Sequence, residues 1–147
     1  MEQTRKNLKL SSIAVLALAL FSLLQVVGEL LFGELSTAVI PEGAPDNILL
    51  ITRIVLFSLA LLITIPNIYI GIKGLRIAKK PNSSKGHIVW GIILLVLASL
   101  SLINPVVSFI SSGFKYGNIS GALSIVVEIA VFFEYIIYAI EVRKTVA

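Results

Sequence analysis

The chain has 147 residues, of which 57% are apolar and only 14% are charged. Soluble domains carry about 25% charged residues, and one of this size could not bury so much apolar surface, so the composition excludes an ordinary soluble protein. The formal charge of +4 does not indicate nucleic-acid binding, because the basic residues lie beside apolar runs, and the lack of cysteine excludes disulfides, thiolate metal sites and a cysteine nucleophile.

The first apolar run, residues 10–32, follows a short segment that carries Arg5, Lys6 and Lys9. At 1.5 Å per residue its length suits a hydrocarbon core about 30 Å thick. A secretory signal peptide would begin in the same way, but its apolar region is shorter, at about 7–15 residues, and a small-residue cleavage site would follow. We therefore expect a retained membrane span rather than a cleaved leader.

Three further apolar runs follow, at residues 48–72, 88–112 and 119–140. Each should form a helix, because lipid offers no partner for backbone N–H and C=O groups and four strands cannot close a barrel. Pro66 is expected to kink the second helix, since proline removes a backbone donor. The short connections favour antiparallel neighbours. The sequence thus predicts one all-α domain over residues 1–147, an integral membrane four-helix bundle with up-down-up-down topology.

The connection between the second and third runs indicates the orientation. Residues 73–87, KGLRIAKKPNSSKGH, are short and strongly basic. Lys and Arg beside a span resist translocation, so such a connection stays in the cytoplasm. Ten of the 12 Lys and Arg residues then lie on the cytoplasmic side, the exceptions being Arg53 and Lys115. We expect a multi-pass protein with cytoplasmic N- and C-termini, and an outer loop at residues 33–47.

Each run also carries small or polar residues on one face of a helix with 3.6 residues per turn. These residues are Ser22, Gln25 and Glu29 in the first run, Arg53, Ala60, Thr64 and Asn67 in the second, Ser101, Asn104, Ser108 and Ser111 in the third, and Gly117, Gly121, Ser124, Glu128 and Tyr135 in the fourth. Small residues let helices approach closely, and polar ones can bond between helices. We expect the four faces to meet inside the bundle.

A polar cleft is expected in the outer half of that bundle, lined by Gln25, Glu29, Arg53, Asn104 and Glu128. Glu29 and Arg53 would lie at similar depth and could pair. Glu128 would lie about 14 Å from the outer end of its span, near the bilayer midplane. An ionised carboxylate there costs at least about 2.5–3.5 kcal/mol, so it should be protonated, paired or hydrated, and it is a functional candidate for that reason.

Some of the same residues could instead have purely structural roles. Glu29 and Arg53 could extend to water at the outer interface. Gly117, Gly121 and Ser124 could serve only to pack helices against each other or against a partner protein.

Two further residues were assigned from their positions. Glu134 lies about 120° from Glu128 around the fourth helix, so it could meet Asn67, a basic loop residue or a partner chain. His87 has no second histidine or cysteine with which to bind a metal, and it is expected as an interfacial loop residue.

Residues 69–90, YIGIKGLRIAKKPNSSKGHIVW, followed by the run 91–103, resemble a pattern in small four-span membrane proteins of Gram-positive bacteria. In those proteins a GIxGLRxAxxP loop joins the two middle helices. The resemblance covers this loop and parts of two spans, and it implies a bacterial plasma membrane without implying an activity. The chain is also similar in plan to small multidrug-resistance transporters, but Glu29 lies too near the outer end of its span for that family. Claudin-type proteins are excluded by the missing cysteine pair.

No enzyme and no cofactor are predicted, because the chain has no metal-ligand cluster, no Ser-His-Asp set and no phosphate-binding glycine loop. Two functions remain. The short loops favour an accessory, regulatory or immunity-type subunit that binds another membrane protein, or a homo-oligomer, through its helix faces. The alternative is a small transporter or ligand-binding bundle, in which Glu128 and Glu29 hold a cation or proton and Arg53 is the countercharge.

Overall fold

The computed structural model describes residues 2–32, 45–112 and 116–146, with most of their side chains. This described part contains five helices, numbered here in chain order: α1 (Glu2–Phe32), α2 (Asp46–Lys79), α3 (Gly86–Ser101), α4 (Ile103–Ser112) and α5 (Tyr116–Lys144). Four helical segments are long and apolar enough to cross a membrane: Glu2–Gly28, Asp46–Lys79, Gly86–Ser108 and Ala122–Lys144. The prediction of an all-α chain with four such segments is confirmed.

Apolar side chains cover the outside of the described helices. Leu62 of α2 is 68% exposed and Ile110 of α4 is 78% exposed, and large exposed hydrophobic residues occur on all five helices. Soluble monomers rarely expose contiguous apolar surface of this extent. The exposure pattern therefore agrees with a membrane protein whose outer surface faces lipid.

The connection after α2 is shorter than expected. The helix continues through residues 73–79, which were expected to form a loop, and ends at Lys79 because Lys80 is extended (φ −130°, ψ 92°) ahead of Pro81. Residues 80–85 alone join α2 to α3, and Asn82 Oδ1 accepts a hydrogen bond from the Ser84 N–H at 3.1 Å. The thickness of the hydrocarbon core sets the minimum length of a spanning helix. This helix continues beyond that length and ends only ahead of Pro81, which cannot extend it.

The two prolines within the apolar runs have different effects. α2 runs through Pro66 as one helix, whereas Leu102 separates α3 from α4 three residues before Pro105. Pro105 has no N–H, so the Ser101 carbonyl lacks the helical donor four residues ahead of it. The Leu102 N–H bonds at 3.2 Å to the Ser99 carbonyl, a tighter turn that marks the break.

The helices pack as a ring of four neighbours. α1 packs against α2 and α5, α3 packs against the same two helices, and α4 extends α3 along α5. α2 and α5 therefore lie across the bundle from each other. Arg5 of α1 donates hydrogen bonds to the Ala78 and Lys79 carbonyls at 3.1 and 2.8 Å. These carbonyls lie at the C-terminal end of α2, where helical partners are missing.

Buried side chains are concentrated at one end of the bundle. Within the described residues they all fall in the ranges 8–19, 64–78, 87–98 and 132–142, and the apolar ones among them form a hydrophobic core there. We call this region the closed end. No described side chain in residues 20–63 or 99–131 is buried, and we call that region the open half.

Candidate functional site

Tyr135 of α5 is the central side chain of the closed end and is fully buried. Its hydroxyl donates a hydrogen bond to the Ile70 carbonyl of α2 at 3.0 Å. Its ring meets the His87 ring of α3 edge to face, with centroids 6.2 Å apart and planes at 85°. Edge-to-face contact is a favourable aromatic geometry. Through this one side chain, α5 is connected to both α2 and α3.

Glycines allow the helices to approach this centre closely. A Cβ atom added at Gly74 would lie 2.6 Å from Tyr135 Cε2 and would also collide with the Ser12 hydroxyl of α1. A Cβ added at Gly71 would lie 2.6 Å from Leu16 Cγ. Any larger residue would force these neighbours to move, so α1 and α2 pack at a separation that glycine permits.

The closed end also buries polar side chains. The Ser12 and Thr64 hydroxyls donate to backbone carbonyls of their own helices, at 2.6 and 2.8 Å. The Asn67 Oδ1 atom and both ring nitrogens of His87 are buried and have no hydrogen-bond partner among the described residues. Burying polar atoms in this way is costly. The interior at this end is therefore polar in part, and not a uniform apolar core.

His87 does not occupy the interfacial loop position that was expected. It is the second residue of α3 and is only 1% exposed. Its burial was missed because the histidine was assigned to the basic connection. The signal was present in the helical spacing, since His87, Gly91, Leu94 and Ala98 recur at intervals of four and three and all are buried.

The residues of the polar faces predicted to meet inside the bundle differ in their burial. Thr64, Asn67 and Tyr135 are buried at the closed end. Ser101 and Asn104 are exposed, and the Ser101 hydroxyl donates to a carbonyl of its own helix at 3.0 Å. The structure thus buries the polar residues of the closed end and exposes Ser101 and Asn104, which lie in the open half.

The residues predicted to line an outer cleft belong to the open half. Arg53 and Glu128 are half-buried, and Asn104 is exposed. The side chains of Gln25 and Glu29 lie outside the described set, so the predicted Glu29–Arg53 pair does too. Arg53 and Glu128 are therefore the two cleft candidates that the structure places partly inside the bundle.

The residues predicted to pack against helices or partners lie on α5. The surroundings of Gly117 and Gly121 are outside the described set, whereas Ser124 and Glu134 are both exposed. In the part of the chain that the structure describes, no side-chain hydrogen bond or ion pair involves Glu134. This glutamate lies within the candidate span Ala122–Lys144.

Glu134 belongs to a continuous row of exposed residues on α5. The row recurs at intervals of four and three and consists of Leu123, Val127, Ala130, Glu134, Ile137, Glu141 and Lys144. We call it the α5 outer stripe. About 10 Å of helix separates its two acids. Ionisable residues inside a span are rare and normally have a partner, so an exposed one is a candidate for contact with another molecule.

No group of three or more His, Asp and Glu residues that could hold a metal ion occurs in residues 2–32, 45–112 and 116–146. Comparisons with protein families, with curated proteins and with solved structures find no match to this chain. Function must therefore be inferred from the residues of this chain alone.

Proposed function

We propose that this chain is a small four-span protein of the bacterial plasma membrane that binds another membrane protein as an accessory, regulatory or immunity-type subunit. Its helices alternate in direction, up-down-up-down, and both termini lie in the cytoplasm. Support for this orientation comes from the basic residues, because ten of the 12 Lys and Arg residues flank the closed end, and such residues are retained on the cytoplasmic side.

The observation that carries the proposal is the exposure of Glu134 on an otherwise apolar part of α5. Its neighbours along the α5 outer stripe, Ala130 and Ile137, are also exposed. Glu134 lies about 9 Å from Glu128 toward the cytoplasm but still within the span, where an acidic residue costs part of the roughly 2.5–3.5 kcal/mol found at the centre of a span. A partner helix that presents a basic or hydroxyl side chain to Glu134 removes much of this cost when it covers the stripe. Burial of the stripe then stabilises the complex of the two proteins.

Replacing Glu134 by glutamine should reduce recovery of the partner about tenfold or more, since a hydrogen bond to a charged group contributes about 1.5–3 kcal/mol. The measurement is affinity purification in mild detergent with quantification of co-purified membrane proteins by mass spectrometry. Glu128→Gln is the matched control, because it makes the same change in the same helix at a half-buried position. Equal recovery from wild type and Glu134→Gln would refute the proposed role of this face.

A second function is favoured by one specific observation. Glu128 is half-buried in the open half, and a partly buried carboxylate within a span is a candidate for binding a small cation or proton. In this transporter or ligand-binding alternative, Glu128 and Glu29 bind the cation and Arg53 supplies the countercharge. The two acids exceed the single base, so the ligand is cationic.

The transport alternative makes the opposite prediction for the same two variants. Glu128→Gln should abolish proton-coupled or cation uptake into proteoliposomes, because the neutral amide cannot exchange a proton or balance a cation. Glu134→Gln should leave uptake close to that of wild type, because Glu134 is exposed outside the proposed cation site. Uptake that is absent in the wild-type protein, or unchanged in Glu128→Gln, would eliminate the transport function.

A further inference from the structure

We propose that the α5 outer stripe binds the outer face of α2 in a second copy of this chain, so that copies associate head to tail in the membrane. The inference rests on the proposed function, because it keeps the face that carries Glu134 as the binding surface and specifies that the membrane protein bound there is a second copy of this chain. Three features support it: the charges on the two faces, the depth at which they lie, and their positions on opposite sides of the bundle.

The outer face of α2 carries a net positive charge, whereas the α5 outer stripe carries a net negative charge. An exposed row recurs there at intervals of four and three, consisting of Ile65, Tyr69, Ile72, Arg76 and Lys79, and we call it the α2 outer stripe. It is apolar within the span and ends in two cations, whereas the α5 outer stripe carries two acids and ends in one cation, Lys144. Complementary charges on otherwise apolar faces favour this pairing and disfavour like-charged ones.

The charges on the two stripes lie at similar depth. The Tyr135 hydroxyl bonds to the Ile70 carbonyl, and the Tyr135 ring lies beside Gly74, so these parts of α5 and α2 are level. Both helices run toward the cytoplasm in the proposed topology. At 1.5 Å per residue, Arg76 then lies between the levels of Glu134 and Glu141, about 8 Å from the first and about 3 Å from the second along the axis. Extended side chains can bridge these offsets.

The two stripes point in opposite directions, because α2 and α5 lie across the bundle from each other. A contact between α5 of one copy and α2 of the next is therefore heterologous and extends to a row or closes into a ring. Neighbouring copies keep the same orientation in the membrane. A two-fold dimer through α5 would instead bring the Glu134 carboxylates of the two copies together, which like-charge repulsion disfavours.

Cysteine cross-linking tests the contact directly, because the natural chain has no cysteine and each introduced thiol is unique. Ile137→Cys and Ile72→Cys variants with different tags would be co-expressed and oxidised in membranes; both positions are exposed. We expect a disulfide-linked dimer that carries both tags. Val89→Cys, on the exposed side of α3 and two residues from His87, which contacts Tyr135, is the control partner at similar depth and should give little product. Product no greater than this control, or a dominant Ile137→Cys homodimer, would overturn the proposal.

Charge reversal tests the ion pairs. Glu134→Lys with Glu141→Lys in one stripe, or Arg76→Glu with Lys79→Glu in the other, should each lower the mixed cross-link about tenfold, and a chain carrying all four changes should recover it, since the acids and the cations then exchange places. Elution of each variant as a single species in detergent checks folding, and Glu134→Gln provides a milder variant with a smaller expected loss. Failure of the fourfold variant to recover the cross-link contradicts the pairing. If cross-linking fails while Glu134→Gln still loses a different membrane protein, the second-copy inference is wrong and the proposed function stands.

Discussion

Replacing Tyr135 by alanine should lower the free energy of unfolding by about 3 kcal/mol, near the lower end of the range for large aromatic side chains removed from a core. The lower end is expected because a helix in lipid gains little from transfer out of water and depends mainly on packing. The substitution removes the ring that contacts Gly74 and His87, together with the hydrogen bond to the Ile70 carbonyl. The remaining side chains cannot fill that volume without moving whole helices.

The measurement is unfolding by titration of sodium dodecyl sulfate into mild-detergent micelles, followed by the fluorescence of Trp90, the single tryptophan. Tyr135→Phe is the matched control. It keeps the ring and loses only the hydroxyl, and hydrogen bonds between membrane helices contribute about 0.6 kcal/mol on average. A loss in Tyr135→Phe as large as that in Tyr135→Ala would mean that the hydroxyl, rather than ring packing, stabilises the closed end.

The helical type and the number of membrane-spanning segments could be predicted from the sequence because lipid imposes a simple condition. A span needs about 20 apolar residues, and its backbone groups must pair within the segment. The end of α2 was harder to predict, because residues 73–79 can be helical beyond the hydrocarbon core, among lipid headgroups or in water. Only the extended Lys80 before Pro81 ends it, a local steric effect that hydrophobicity does not register.

The candidate sites could be predicted only in part, because the sequence shows which residues share a face of one helix but not which face contacts the neighbouring helices. Spacing groups Thr64 with Asn67, and both are buried, but it cannot say which side of α3 or α4 meets another helix, and Asn104 is exposed. The exposure of Glu134 likewise depends on how α5 is rotated against α1 and α3. Rotation is set by side-chain packing between helices, which requires the three-dimensional arrangement.

Alanine substitutions at two glycines should change stability in opposite directions. At Gly28 of α1 an added Cβ meets no atom within 4 Å, so Gly28→Ala should stabilise the protein by up to about 1 kcal/mol through the lower entropy of the unfolded chain. At Gly74 the same atom would collide with the Tyr135 ring and the Ser12 hydroxyl. Overpacking of this kind costs about 1–3 kcal/mol, so Gly74→Ala should destabilise the protein despite the gain in helix propensity.

The cause of the Gly74 effect can be isolated by combining it with the Tyr135 change. In the Gly74→Ala, Tyr135→Ala double variant only the Ser12 hydroxyl still collides with the added methyl group, which can shift into the space that the ring leaves. The double variant should therefore lose less stability than the sum of the two single losses, by about 1 kcal/mol or more, in the same detergent titration. Gly28→Ala combined with Tyr135→Ala is the control and should be additive, because Gly28 has no neighbour within 4 Å for the new methyl group to displace. Additive losses in both double variants would show that Gly74 and Tyr135 do not share the close contact on which the packing of the closed end depends.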